Sequence, residues 1–347
     1  MGQTILFRRQ WGRLPACVGL SGRLLAFSTL ILSAQPQTLR VGSIDFYGYA
    51  GLDLDGVRAR LPIHEGDTVS EDDMEKMSDR IKQAVDATNI NGTCCDEKGR
   101  LMIYIGLRGR SARDVAYHPA PQGDARLPQA MTDLDRQFLD ASTQALAKGV
   151  TAEDQSKGYA LSADPDARAK QLAMRDYAVG HERLIARVLA SSRDAGQRAI
   201  AARLMGYARQ SRAQIAALVD ASRDPDDDVR NNATRALWVL ATSSPKRAAQ
   251  VPAARFIEIL YSRSWTDRNK ASLLLEALTR SRDAKLLATL RAQALDPLIE
   301  MARWHNPGHA YGARMMLGRC AGIEEHRLEK LVEAGDPTPI LAGLNAN

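Results

Sequence analysis

Three aspartates at alternate positions, Asp224, Asp226 and Asp228, put oxygens where a calcium-binding loop has its first ligands. Such a loop also needs a glycine for its sharp turn and a closing glutamate, and this chain has Val229 and Arg235 there. The aspartates therefore read as a helix cap, their carboxylates meeting the positive end of the dipole. His181-Glu182 could open a zinc-protease motif, but the fifth position is Ile185, not histidine. His305 and His309 flank a Pro-Gly turn and, with His326, match no ligand spacing of zinc sites, so they read as surface residues. No phosphate-cradling glycine loop, nucleophile elbow or kinase motif set occurs. The expectation is a chain without metal, cofactor or catalytic residues. The alternative is an accessory or lyase-like enzyme with an unrecognised site in 118–164.

Side chains suited to gripping a partner are Trp238, Trp265, Arg230 and Arg268, since aromatics and arginine dominate binding hot spots. Trp238 stands beside the inward Leu237 and Trp265 lies in a turn. The rival reading has both tryptophans completing an internal core. Of Cys17, Cys94, Cys95 and Cys320, the adjacent pair would face opposite sides of a strand, so buried free thiols are expected, with a Cys320 pairing as the alternative.

These residues are carried by helix pairs recurring between His181 and Ile323. The second helices align so that Ala201, Ala233, Ala271 and Ala313 fall in register, with Met205, Leu237, Leu275 and Leu317 four residues on. The expected pairs are 181–190 with 196–208, 213–221 with 228–241, 253–262 with 267–280, and 294–303 with 308–320. The turn Arg223-Asp-Pro-Asp-Asp-Asp-Val-Arg230, followed by Ala233 and Leu237, resembles a HEAT or HEAT-like repeat; Gln197-Arg198 and Asp267-Arg268 echo it, and Asn306-Pro307-Gly308 departs from it. That resemblance implies an α-solenoid over 181–328, whose units fold only by stacking.

Upstream, Leu39–Tyr47 alternates as a strand, Asp53 caps a short helix, and Ser70 caps a second one carrying Met74, Met77, Ile81 and Val85. A hairpin at Asp96–Gly99 joins strands Thr93–Cys95 and Leu101–Leu107, the latter half-buried with Leu101, Ile103, Ile105 and Leu107 on one face. Ile44-x-Phe46-x-Gly48, the Leu61…Glu65-Gly66-Asp67 step and the closing strand resemble a POTRA domain, implying an α+β fold of order β-α-α-β-β over 38–108. No β-barrel segment follows it.

Residues 109–128, rich in Pro, Gly, Ala and Arg, read as an exposed connector free to let its neighbours swing. Residues 129–180 read as a helical linker region and 329–347 as a tail. Residues 1–34 carry four arginines, no acid and a short apolar run, Leu24–Leu32, as an export signal does, implying a periplasmic or secreted protein. The net charge of +6 over the whole chain owes four units to those arginines, so 43 basic residues face 41 acidic ones beyond them. That near balance leaves no basic stripe for nucleic acid. The fold expected is mostly α, a HEAT-like α-solenoid preceded by a small POTRA-like domain. Its expected role is a scaffold holding a protein or peptide, with no integral membrane span and no small-molecule ligand.

Overall fold

The structure, a computed structural model, describes residues 38–345, so the proposed export segment 1–34 lies outside it. The described chain is mostly helical with a small four-stranded sheet near its N-terminus. That region runs β1 (Thr38–Tyr47), α1 (Leu54–Arg58), β2 (Thr68–Ser70), α2 (Glu71–Val85), β3 (Asn89–Thr93) and β4 (Leu101–Gly106). The strand order is β2-β1-β4-β3, with β1 and β4 parallel and the outer pairs antiparallel. Both helix starts follow from their caps: the Asp53 carboxylate accepts from Gly56 N and the Ser70 hydroxyl from Asp73 N. β2 was not anticipated, and β3 precedes the strand expected at 93–95, because Asn-Ile-Asn-Gly-Thr carries almost no apolar signal.

One face of the sheet packs Ile44, Phe46, Ile103 and Ile105 against Met74, Met77 and Ile81. β4 is nevertheless not half-buried. Its alternate residues Met102 and Tyr104 are buried in the helical core, so all six β4 positions lack solvent. The sheet is sandwiched between its own helices and those downstream. Covering each large side chain on that second face contributes roughly 1.5–3 kcal/mol.

Downstream come α3 (Gln129–Ala147), a two-residue hairpin of β5 (Glu153–Asp154) and β6 (Leu161–Ser162), and α4 (Pro165–Gly180). Four helix pairs follow: α5 (Glu182–Ser191) with α6 (Ala195–Met205), and α7 (Arg212–Ala221) with α8 (Asp227–Ser243). After the short α9 (Pro245–Ala248), α10 (Ala253–Ile259) pairs with α11 (Trp265–Thr279). After α12 (Ala284–Gln293), α13 (Leu295–Ala302) pairs with α14 (Pro307–Cys320). The second helices pack side by side in the order α6, α8, α11, α14. Ala201, Ala233, Ala271 and Ala313 are all fully buried, as are Leu237, Leu275 and Leu317. A Cβ on Gly312 would meet Ser272 O at 2.7 Å, which shows how closely α14 approaches α11. The inserted α9 and α12 account for the longer sequence steps between the later units. The boundary expected at 328/329 falls inside a helix: α15 (Glu325–Glu333) straddles it, α16 (Thr338–Asn345) lies in the segment read as a tail, and the two pack on α14 and bury Leu328 and Ile340. Among the described residues no helix is long and apolar enough to cross a membrane.

The cysteine expectation is corrected. Cys94 and Cys95 are bonded to each other, and the peptide between them is cis. The expected alternation of faces presumes a trans strand, and these residues lie just past the end of β3. Cys320 is free and buried, and burial pushes its thiol up to about 11, against a smaller opposing effect of Arg291.

Candidate interaction surface

Three arginines sit at the same offset, four residues after the helix caps Asp194, Asp226 and Ser264. Arg198 donates to Ser192 O and to both oxygens of Asp224 at 2.7 and 2.9 Å. Arg230 donates to Asp224 O and to both oxygens of Asp267 at 2.9 and 3.0 Å. Arg268 donates to Ser262 O at 2.6 Å and to Glu300 at 3.2 Å. Each guanidinium thus reaches back six residues to a carbonyl and across to a carboxylate of the next pair. Buried charges tolerate desolvation only when paired and hydrogen-bonded in this way.

Arg230 and Arg268 are therefore ties between helix pairs, not exposed grips for a partner. Trp265 is corrected likewise: it is 0% exposed and stacks on Tyr104 of β4 with ring centroids 4.7 Å apart. Trp238 is half-buried against the helical core, away from that stack. The rival reading of the tryptophans, as core completion, describes their positions. The aspartate cluster is a cap: Asp226 accepts from Asp228 N and Val229 N, while Asp224 holds Arg198.

Residues 109–128 are extended but docked. The chain leaves β4 beside α13, then runs back along the turns of the helix pairs toward α5. Arg113 N donates to Tyr261 O, His118 N to Arg223 O, Gly123 N to Ser191 O and Leu127 N to Gln197 Oε1, all within 2.7–2.9 Å. Tyr117 lies under Arg230, whose guanidinium is 4.0 Å from the ring centre, and its hydroxyl donates to Asp267 at 2.8 Å. A Cβ at Gly123 would meet Ser191 O at 2.6 Å, so glycine permits the close approach. Composition suggested freedom because prolines and small residues favour extended chain; the anchors are single residues set in it.

Contacts at two points, among others, fix the sheet to the helices. Glu300 accepts from Gly48 N, Tyr49 N and Ala50 N at 2.7–2.8 Å and from the Ser111 hydroxyl, while Arg268 also donates to Ser111 O. Nearby, Trp304 Nε1 donates to Phe46 O, and His305 bonds Asp45 at 2.8 Å, a contact that raises the imidazole pKa. At the second point the Tyr104 hydroxyl bonds His309 Nδ1 at 2.5 Å. Burial, reinforced by Lys270, drives His309 down to about 3, so the ring is neutral and accepts from the phenol. His309 is thus interior, contrary to the expected surface histidine.

Lys270 of α11 is 3% exposed, and among the described residues its amine makes no hydrogen bond or ion pair. Burial, with Arg235 adding to it and Glu153 opposing, pushes it down to about 7. Nothing in the sequence flagged Lys270 or Glu300, since neither sits in a motif; the equal offset of Arg198, Arg230 and Arg268 was the one legible signal. In the region 118–164, Asp135 pairs with Arg203 and Glu153 with Arg235, while His118 stands 3.8 Å from Asp220. No group of three or more potential metal ligands occurs among the described residues. No protein-family model matches the chain, and no curated protein matches it in sequence.

Proposed function

We propose that this chain is a non-catalytic interaction scaffold of the cell envelope, a HEAT-like α-solenoid joined to a POTRA-like domain, whose partner is a protein or peptide. The observation that carries this reading is the docked connector. Helix-pair turns offering carbonyls, arginines over an aromatic ring and a close glycine approach already hold some twenty residues of extended chain. The same chemistry, main-chain hydrogen bonds plus side-chain cradles, binds extended peptides in general. β3 is an edge strand, so a partner strand could extend the sheet there. Export to the periplasm or beyond rests on the segment 1–34.

The test is in-cell crosslinking of the exported full-length chain, followed by mapping of the crosslinked residues. Crosslinks to one macromolecular partner concentrated in 181–323 or on β3 are expected. Recovery of the chain alone under conditions that capture a control complex overturns the scaffold reading.

A further inference from the structure

Beside the docked connector lies an open cleft of about 390 Å³, bounded by residues 113–115, α10 and the C-terminal end of α12. That volume is at the small end of ligand-binding sites, which run from about 300 to 1,000 Å³. Its apolar lining is the buried Ile257 and Tyr261, the half-buried Val115 and the exposed Ala254 and Ala292. Its polar lining is Arg113, Asp114, Glu258 and Gln293. The Arg113 guanidinium lies 4.0 Å from the centre of the Tyr261 ring and makes no ion pair among the described residues. Asp114 pairs with Arg263, and Glu258 gives Oε2 to Arg255 at 2.9 Å. The Gln293 carbonyl accepts from the Tyr261 hydroxyl at 2.7 Å, and its side-chain amide makes no hydrogen bond among the described residues.

This polar set decides the kind of occupant. Arginine only donates, an ionised carboxylate only accepts, and a glutamine amide does both. A small anion would meet Asp114 and Glu258, and a cation would meet Arg113. A neutral peptide group carries one N–H donor and one C=O acceptor, so it meets no like charge and finds a partner for each. The adjoining connector shows that this face already holds extended chain. Its amides at Arg113, His118 and Gly123 donate to Tyr261 O, Arg223 O and Ser191 O, stepping one helix pair for every five residues. The cleft continues that contact, since Arg113, Asp114 and Val115 belong to both. We propose that the cleft receives a bulky apolar side chain of an extended partner segment, whose flanking peptide groups bond Arg113, Glu258 and Gln293. This inference rests on the scaffold reading and names the class of segment the scaffold grips.

The test is methyl NMR of the full chain with isoleucine and valine methyls labelled, Ile257 and Val115 being the reporters. The probes are acetyl-Gly-Gly-Phe-Gly-Gly-amide and its analogues with Ala, Lys or Asp at the centre. The phenylalanine peptide should shift both reporters saturably in the millimolar range. The alanine peptide, with little apolar surface to bury, should bind at least about tenfold more weakly, and the charged ones no better. Ala292→Trp fills the cleft from its exposed wall and should weaken the phenylalanine peptide at least about tenfold. Ala254→Trp does the same from α10, should the first variant not fold. No saturable shift at the two reporters, equal binding of any analogue, or undiminished binding in a folded filled variant would overturn the proposal. In the crosslinking experiment, capture of one partner by the parent and Ala292→Trp alike also overturns it, while leaving the scaffold reading standing. Capture of no partner overturns the scaffold reading, and the peptide titration still decides the cleft.

Discussion

Removing the Glu300 carboxylate should detach the sheet from the helices. In Glu300→Ala the fully buried Arg268 loses its counter-ion while keeping only the carbonyls of Ser262 and Ser111. Breaking a buried pair by deleting one partner costs about 3–5 kcal/mol. The N–H groups of Gly48, Tyr49 and Ala50 lose their acceptor as well, at about 1–3 kcal/mol for each that stays dry. These effects are not additive, because the loop 48–50 can lift into water and recover hydrogen bonds there. The expected total is therefore about 4 kcal/mol or more, reached by local opening. Hydrogen exchange should show Gly48–Ala50 and β4 deprotected while α6 and α8 remain protected, and denaturation should become biphasic. Glu300→Gln, which keeps one acceptor oxygen, should fall between. Arg268→Met added to Glu300→Ala should cost less than the two changes separately, since it removes the stranded cation. A loss below about 1 kcal/mol, with unchanged exchange at 48–50, would refute the idea that this clamp holds the sheet.

Lys270 sets an alkaline dependence. Its folded pKa of about 7 lies below the ordinary 10.5, so the unfolded chain binds more protons between those values. Its contribution to stability should rise by about 1.4 kcal/mol per pH unit from 7 toward 10.5, and be lost as pH falls back to 7; Lys270→Met should remove that slope in urea denaturation at pH 7, 8 and 9. His309 acts in acid: with a folded value of about 3 against the usual 6.5, stability should fall as pH drops from 6.5 to 3. His309→Gln should flatten that limb relative to the parent chain in thermal melts. Ala233→Leu, at a fully buried register position, should overpack the contact between α8 and its neighbours and cost about 1–3 kcal/mol, read as a lowered midpoint by circular dichroism.

The sequence by itself determined what is local and periodic. Recurring alanine and leucine positions place four helix pairs within a few residues of where they fold, because a register that buries a stripe every 3.6 residues is written along the chain. The caps at Asp53, Ser70 and Asp226 were legible for the same reason: cap and capped amide lie two or three residues apart. The apolar face of β4 was legible too, but its opposite face was not, since burial of Tyr104 and Met102 depends on helices some 160 or more residues away. Only the tertiary structure decided that Trp265, Arg230 and Arg268 face inward, because exposure belongs to what packs over a residue and not to its type. It alone docked the connector, through single anchors such as Tyr117 and Gly123 that form no pattern. And it alone buried Lys270, whose amine is pushed down first by that burial and then by Arg235 of α8, with Glu153 of β5 opposing, which no spacing within α11 can encode.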